Sequence, residues 1–304
     1  RMIGEFMRNR ILLGAIPALL VLLLGSCYGG SSSGLSLSIT DAPIDQASRI
    51  IVGISSVSVT GDNVRPVTLP FVTPISANVY EFQGGTSSPL FVHLPIASGH
   101  YTNLRIGFAA DPISVSSSIS LPDGIHVLYI PVTSPSYADL PIDFTIGSGQ
   151  TINLTVDFDM RKSVVQDPND STRFIFIPQL RVVQNEFTGT LTGSVDQSLL
   201  KGVCTPAVYV YSGQVSPTDE NINAPAGEVQ PMASSLVGLN ATTGAYNFTV
   251  GFLPAGDYTV AFTCNADQDV SNQDNGPSGS NTVFFTSMTT ASVSAQQITQ
   301  VSLQ

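Results

Sequence analysis

Apolar and polar residues alternate with a period of two along much of the chain. Leu35, Leu37 and Ile39 alternate with Ser and Thr, which is the pattern of a strand with one buried face. Further segments of this kind follow at short intervals, separated by clusters of Pro, Gly, Asp and Ser. We predict them at residues 50–59, 79–82, 90–94, 101–108, 113–119, 125–130, 142–146, 151–158 and 174–183. Many short strands without a long amphipathic helix indicate an all-β chain built from β-sandwiches.

One predicted strand changes parity in its middle. Its apolar residues occupy even positions from residue 50 to Ile54 and odd positions from Val57 onwards. Because the side chains of a strand alternate between its two faces, both sets reach the core only with an extra residue between them. We therefore predict a β-bulge near Ser55 and Ser56.

The charge balance changes after residues 184–187. Segments with the strand pattern continue at residues 188–195, 207–211, 244–248 and 253–260, but Lys201 is the single basic residue beyond this point. The acids there are Asp196, Asp219, Glu220, Glu228, Asp257, Asp267, Asp269 and Asp274. We predict two consecutive β-sandwich domains, one at residues 35–184 and a more acidic one at residues 187–304.

The amino-terminal segment combines basic residues with an apolar run. Arg8 and Arg10 precede an uncharged run at residues 11–24, which ends in Leu-Gly-Ser-Cys27. These are the marks of a removable secretion signal, and the run is shorter than the about 20 residues that a transmembrane helix needs. The segment resembles a bacterial lipoprotein signal. That resemblance implies removal of residues 1–26 and attachment of a diacylglyceryl group to the thiol of Cys27.

A transmembrane anchor and a plain secretory signal are the alternatives to this interpretation. Tyr28 rather than an aspartate follows Cys27, which by the same resemblance favours the outer membrane of the bacterial cell envelope. Residues 27–34 are rich in Gly and Ser and predict a flexible tether between the lipidated cysteine and the fold.

The chain without its signal is strongly acidic. Residues 27–304 contain eight Lys and Arg and 21 Asp and Glu, a net charge of −13. Such a surface repels phosphate backbones, so nucleic acid is excluded as a partner and a cation fits better. The chain has no Trp for stacking on sugars, and an exposed Tyr209 or Tyr211 would have to take that role.

Two cysteines remain after Cys27. Cys204 and Cys264 both lie in the last third of the chain, and two thiols in an exported protein indicate one disulfide. A metal pair or a catalytic thiol is the alternative, but no histidine follows His126 to partner a thiolate nearby in sequence.

Two stretches resemble known families. Residues 35–59, with the turn Thr-Asp-Ala-Pro at residues 40–43, together with residues 99–105, 156–159 and 178–183, resemble the bacterial domain-of-unknown-function family 4382. This resemblance covers residues 35–184 and implies an all-β domain of exported lipoproteins without an assigned activity. Residues 244–248 and the segment Leu-Pro-Ala-Gly-Asp-Tyr-Thr-Val at 253–260 resemble transthyretin-like, carboxypeptidase-regulatory-like sandwiches, also described as a carbohydrate-binding-like fold.

Two acidic stretches are candidates for chemistry. Asp157 and Asp159 lie on the polar face of one predicted strand. A functional interpretation makes them cation ligands or a paired acid and base. We favour the alternative, in which they belong to a solvated face with local ion pairs. Asp267, Asp269 and Asp274 alternate in a loop as Ca²⁺ ligands do. That loop lacks the glycine and the glutamate of an EF-hand, and an ordinary exposed loop is the alternative.

No motif of a nucleophile, a phosphate loop or a dinucleotide site occurs in the chain. His93, His100 and His126 are scattered and have no metal-binding spacing. We therefore expect a membrane-anchored lipoprotein of the cell envelope that is not an enzyme and needs no cofactor, Ca²⁺ apart. It would bind a protein, a polysaccharide or a cation, or serve as a structural module. A hydrolase that uses the face of Asp157 and Asp159 is the alternative.

Overall fold

The computed structural model describes residues 32–42, 44–113, 116–272 and 283–304. Residues 1–31, with Cys27, lie outside this part, so the predictions for the signal and the lipidated cysteine are untested. The first half contains β1 (Gly34–Ala42), β2 (Arg49–Asp62), β3 (Val67–Asn78), β4 (Ser88–Pro95), β5 (Gly99–Phe108), β6 (Ser118–Leu121), β7 (Gly124–Tyr129), β8 (Tyr137–Ile146), β9 (Thr151–Asp159), α1 (Met160–Ser163), β10 (Val164–Asp167), β11 (Asp170–Phe176) and β12 (Leu180–Gln184). A 3₁₀ turn spans Val79–Glu81.

These strands form two sheets that enclose one core. The smaller sheet has the order β12-β9-β1-β4, and the larger has the order β10-β11-β7-β6-β2-β5-β8, with β3 paired to β2. The alternating residues of β1 and β2 point into the same apolar cluster: Leu35, Leu37 and Ile39 from β1 meet Ile50, Val52 and Ile54 from β2. The predicted sandwich is confirmed. Within the smaller sheet β1 runs parallel to β9, with Gly34 opposite Thr151 and Ala42 opposite Asp159.

The predicted β-bulge in β2 is confirmed. The pairing of β2 with both β3 and β5 shifts register between Ile54 and Ser56. Ile54 and Val57 are both buried, at 0% and 1% exposure, so the extra residue restores the inward face after the change of parity.

Several predicted strands have other bounds. Residues 79–82 contain the 3₁₀ turn Val79–Glu81 instead of a strand. β6 begins at Ser118, and Ile113 is exposed. Residues 174–183 split into β11 and β12, which belong to different sheets; Pro178 lies between them and has no N–H for a ladder. The strand β3 was not predicted, since Pro70 and Pro74 interrupt its sequence.

The second half forms another sandwich. Its strands are β13 (Thr188–Val195), β14 (Ala207–Ser212), β15 (Ala233–Leu236), β16 (Gly238–Leu239), β17 (Tyr246–Pro254), β18 (Gly256–Thr263), β19 (Phe285–Val293) and β20 (Ile298–Leu303), with 3₁₀ turns at Asn185–Phe187, Gln197–Leu199 and Ala266–Gln268. They form the sheets β16-β17-β13-β20 and β15-β14-β18-β19. The strands of the two sandwiches thus separate between Gln184 and Thr188.

Strand β18 is buried on both faces. Tyr258, Val260 and Phe262 point into the core between the two sheets. Ala261 and Thr263 on the opposite face are also fully buried, because loops and the first sandwich cover the outer surface of this sheet. Within the described residues, no helix has the length and apolar character that crossing a bilayer requires.

Candidate functional site

Three basic side chains of the first sandwich reach the second one. Arg161 Nη1 donates a hydrogen bond to the carbonyl oxygen of Ala266 at 3.0 Å. Lys162 Nζ donates to Gln230 Oε1 at 3.1 Å, and Arg181 Nη1 donates to the carbonyl oxygen of Phe252 at 2.7 Å. We call these residues and their partners the junction. The junction brings cations of the first domain into contact with the acidic second domain.

The helix α1 places two of these cations. The Asp159 side chain caps it, because its Oδ1 accepts a hydrogen bond from the backbone N–H of Lys162 at 3.1 Å, one of the donors that a helix start leaves free. The single turn moves the chain out of β9 before β10 begins. Arg161 and Lys162 therefore leave the edge of the smaller sheet and point towards the second sandwich.

Arg161 is the centre of the junction. Its side chain is 3% exposed and pairs with Asp45 from the turn after β1. Its Nε lies 4.0 Å from Glu220 Oε1, and its guanidinium carbon lies 5.5 Å from the centre of the Tyr209 ring. One buried cation thus contacts residues that are distant in sequence and belong to both sandwiches.

The second sandwich contributes buried acids around this cation. Asp269 Oδ2 accepts a hydrogen bond from the Tyr209 hydroxyl at 2.7 Å and another from the backbone N–H of Glu220 at 3.2 Å. Glu220 is 0% exposed, and neither of its carboxylate oxygens accepts a hydrogen bond from a described residue. Tyr209 and Tyr211 are fully buried. The expectation of an exposed tyrosine for stacking on sugars is therefore wrong.

The face of Asp157 and Asp159 is not solvated, contrary to the interpretation that we favoured from the sequence. Asp157 is 7% exposed and pairs with Arg181 at 2.6 Å between Oδ2 and Nη2. The two residues lie opposite each other on β9 and β12. Strand pairing, rather than proximity in sequence, therefore makes Arg181 the ion-pair partner of Asp157. Both aspartates line a cavity of about 150 Å³ together with Lys162, Gln179, Leu180, Arg181 and Met232.

Burial shifts the proton affinity of the acids in the junction. Desolvation raises the pKa of Asp159 to about 6, although the Lys162 N–H and nearby cations act against the shift. Desolvation also raises the pKa of Asp269 to about 6. The pKa of Glu220 is raised as well, through burial first and then through the charges of Asp159 and Asp269. The junction therefore holds more acid than its cations neutralise.

This arrangement predicts that stability falls as pH rises from about 4 to above 6. In that window the folded protein binds more protons at these carboxyls than the unfolded chain does, so the free energy of unfolding decreases with pH. Replacement Glu220→Gln removes the ionisation and keeps the shape. We expect it to raise the free energy of unfolding at pH 7.5, because no buried carboxylate has to ionise, and to flatten the pH dependence.

Urea unfolding at pH 5 and pH 7.5 measures both effects. The matched control is Glu186→Gln, because Glu186 is exposed and its replacement should change stability by less than about 0.5 kcal/mol. A Glu220→Gln protein that is less stable than the unmodified protein at pH 7.5 would show that Glu220 is ionised and paired with Arg161.

The structure places the other candidate residues apart. His100 bonds to Asp62 and Asp143, and His126 bonds to Asp123. Hydrogen bonds to these carboxylates raise the pKa of both histidines. His93 contacts the hydroxyls of Ser32 and Thr151. These contacts are ordinary surface pairs, and the three histidines do not converge.

The Ca²⁺ prediction is untested for the loop as a whole. Asp274 lies outside the described residues, and Asp269 uses its Oδ2 within the junction. Asp267 Oδ2 accepts from the Gln268 side chain at 2.7 Å. Among the residues that the structure describes, no group of three or more His, Cys, Asp or Glu side chains is arranged to hold a metal ion.

The predicted disulfide between Cys204 and Cys264 is present, across 60 residues of sequence. Beside it, the backbone N–H of Thr205 donates to the carbonyl oxygen of Cys264 at 2.6 Å, and the N–H of Ala266 donates to the carbonyl oxygen of Thr205 at 3.2 Å. Ala266 in turn accepts from Arg161. The disulfide therefore fixes the segment that receives the central cation of the junction.

Sequence reasoning missed the junction as a site. The signal that pointed to it was the charge asymmetry between the halves. Of the eight basic residues after the signal, Arg161, Lys162 and Arg181 occur within 21 positions of one another, just before the acidic half begins. Their contacts depend on residues between 45 and 269, which the sequence alone does not bring together.

Comparison with known proteins finds no similar curated protein. Among solved structures, a leucine-rich repeat protein of Bacteroides thetaiotaomicron is 14% identical over 90% of this chain and 26% of its own, with a TM-score of 0.22. This chain thus spans about a quarter of that protein.

The minor pilin of Streptococcus agalactiae is 11% identical over 88% and 93% of the two chains, with a TM-score of 0.19. A putative adhesin of B. thetaiotaomicron is 11% identical over 77% of both chains, with a TM-score of 0.18. Scores this low do not establish a shared fold, and no functional argument follows from them.

The first sandwich has a clearer relationship. The family match covers residues 32–178, which agrees with the resemblance seen at the turn of residues 40–43 and contains β1 to β11. The resemblance of the second sandwich to transthyretin-like domains stays a prediction. Residues 32–178 of this chain match the family described as domain of unknown function DUF4382.

Proposed function

We propose that this protein is a lipid-anchored protein of the bacterial cell envelope with a non-catalytic binding or structural role. The anchor is Cys27, and Tyr28 after it favours the outer membrane. The two sandwiches are the exported part. Their partner is an envelope protein, a polysaccharide or a cation, and the net charge of −13 speaks against nucleic acid.

The observation that carries the non-catalytic role is the use of the acidic side chains in the junction. Asp157 pairs with Arg181, and Asp159 caps α1. A general acid or base must be within hydrogen-bond reach of a substrate, whereas these carboxylates are committed to contacts within the first sandwich. They hold Arg181 and the helix start at Lys162, whose side chains contact the second sandwich. Arg181 and Lys162 thus join the two sandwiches, which suits a protein that presents a surface to a partner.

Replacement Cys27→Ser tests the anchor. In a bacterial host, the unmodified protein should incorporate a labelled fatty acid and sediment with membranes. The Cys27→Ser protein should lose the label and either remain unprocessed or appear in the soluble fraction, because a stable anchor needs the two acyl chains. Ser26→Ala is the control that keeps a small residue before the cysteine. A Cys27→Ser protein that is still matured and still sediments with lipid would contradict the proposal.

A hydrolase is the second candidate, and the cavity that contains both Asp157 and Asp159 favours it. Under the main proposal, the purified protein has no activity on esters, phosphoesters or glycosides. Asp157→Asn would then change stability alone, because it removes the partner of Arg181. An activity that is present in the unmodified protein and lost in Asp159→Asn, with the fold retained, would favour the hydrolase.

A further inference from the structure

The chain is already fixed to the first sandwich before β1 begins. Ser33 Oγ donates to the carbonyl oxygen of Gly147 at 2.8 Å and accepts from the N–H of Gly149 at 3.3 Å. The carbonyl oxygen of Ser33 accepts from Ile96 N–H at 3.1 Å, and Gly34 N–H donates to Gln150 at 2.9 Å. The flexible tether that we predicted over residues 27–34 is therefore shorter, since its last residues belong to the fold.

This shortening limits the reach of the anchor. Five residue steps separate Cys27 from Ser32. A fully extended chain spans at most about 3.5 Å per residue, so the lipidated residue lies within about 17 Å of Ser32. A domain of this size is wider than that distance, and one end of the first sandwich must therefore stay close to the bilayer.

The end concerned is defined by three loops around Ser33. They are residues 63–66 between β2 and β3, residues 96–98 between β4 and β5, and residues 147–150 between β8 and β9. The first loop touches the others through Val64, which lies against Gly99; a Cβ built on Gly99 would be 2.3 Å from Val64 Cγ1. We call this surface the tether end.

The tether end carries almost no net charge. Arg65 is the charged residue in its three loops, Asp62 lies beside them at the end of β2, and the other loop residues are Ser, Gly, Ala, Asn, Gln, Val, Ile and Pro. The protein as a whole has 13 more acids than bases after the signal. Anionic lipid headgroups repel acidic surfaces over a Debye length of about 8 Å, so a bilayer repels this nearly neutral end less than it repels an acidic surface.

The second sandwich contacts the first one towards the other end of β1 and β9. Arg161 follows Asp159, which lies eight residues along β9 from Thr151 at the tether end, about 26 Å at the rise of a strand. Near the same level, Gly85 of the first sandwich lies against Gly251 of the second, where a Cβ on Gly251 would be 2.5 Å from the Gly85 Cα. The link itself leaves β12 at Gln184, opposite Leu154 of β9, and from there β13 and β17 extend towards Val195 and Tyr246, on the side of these contacts away from Thr151.

We propose that the tether end is a membrane-facing surface that lies against lipid headgroups, with the second sandwich directed away from the bilayer. This inference rests on the lipid anchor proposed above. It implies that the free surfaces for a partner are those of the second sandwich and the sides of the first. The short tether has a role in this placement, because a longer tether would let the protein rotate until another surface faced the bilayer.

Site-directed quenching tests this placement on the full lipidated protein. Ser148→Cys places a probe in the loop between β8 and β9, and Thr242→Cys places one in the exposed loop before β17, at the far end of the second sandwich. Each variant is labelled with a fluorescent maleimide and reconstituted in vesicles that contain spin-labelled headgroups. We expect strong quenching at residue 148 and a signal near that of vesicles without spin label at residue 242.

A further variant and a flotation step separate the outcomes. Insertion of a long Gly/Ser segment after Gly30 should reduce the quenching at residue 148 while the protein still floats with the vesicles. Protein that does not float overturns the lipid anchor and with it this placement. Floating protein with equal quenching at the two sites, or with no effect of the insertion, overturns the placement alone.

Discussion

Replacing Arg161 with methionine is expected to lower the free energy of unfolding by about 3–5 kcal/mol, the usual effect of removing one partner from a buried ion pair. Methionine keeps much of the volume of the side chain but removes its charge. Asp45 and Glu220 then remain buried without their cation. The hydrogen bond to the carbonyl oxygen of Ala266 is lost as well.

Arg105→Met is the matched control. Arg105 also pairs with one carboxylate, Asp139, at 2.7 Å, but its side chain is 44% exposed. Exposed pairs of this kind contribute little to stability, because water screens them. Both variants are compared by urea unfolding at pH 7. Equal, small losses for the two would mean that Arg161 is hydrated in solution and that the junction is not closed as the structure has it.

The loss should also change how the protein unfolds. Arg161 contacts both sandwiches, so its removal weakens their coupling more than either core. We expect the unmodified protein to unfold in one transition and the Arg161→Met protein to unfold in a broader or divided one, because each sandwich retains its own apolar cluster. Loss of cooperativity on this replacement, but not on Arg105→Met, would identify the junction as the link between the domains.

Local pattern predicted those parts of the fold that depend on neighbours in sequence. The change of parity between Ile54 and Val57 was enough to predict the bulge in β2, because burial must alternate along a strand. The same alternation places Tyr258, Val260 and Phe262 on the inward face of β18. In both cases burial in the core requires apolar residues at alternate positions, so neighbouring residues in the sequence are enough to predict which face is buried.

The pattern failed where pairing across the fold decides the structure. Strand β3 contains Pro70 and Pro74, which argue against a strand in any local analysis. Among the described strands, β3 pairs with β2 alone, so it is an edge strand. An edge strand tolerates proline on the side that has no partner, and β3 therefore forms despite its two prolines. Likewise, the interpretation of Asp157 as part of a solvated face failed because a whole domain covers it, and no local signal marks a covered strand face.

Loss of the disulfide is the second large effect that we expect. The double replacement Cys204→Ala with Cys264→Ala opens a loop of 60 residues. In the chain-entropy model this gives the unfolded chain about 4 kcal/mol of additional conformational freedom. For a protein of this size, that corresponds to a fall in melting temperature of roughly 10 °C. Thermal unfolding followed by circular dichroism measures it.

Reduction provides the control, because a thiol reductant should lower the melting temperature of the unmodified protein to that of the double variant and leave the variant unchanged.

The effect of losing the disulfide should extend to the junction. Cys264 lies two residues before Ala266, whose carbonyl oxygen accepts a hydrogen bond from Arg161. Without the disulfide, this segment becomes more mobile and the hydrogen bond is held less firmly. Combining the disulfide variant with Arg161→Met should therefore cost less than the sum of the two separate losses, since groups that share a partner are not additive. Strict additivity would mean that the disulfide acts through the unfolded chain alone and gives the junction no support.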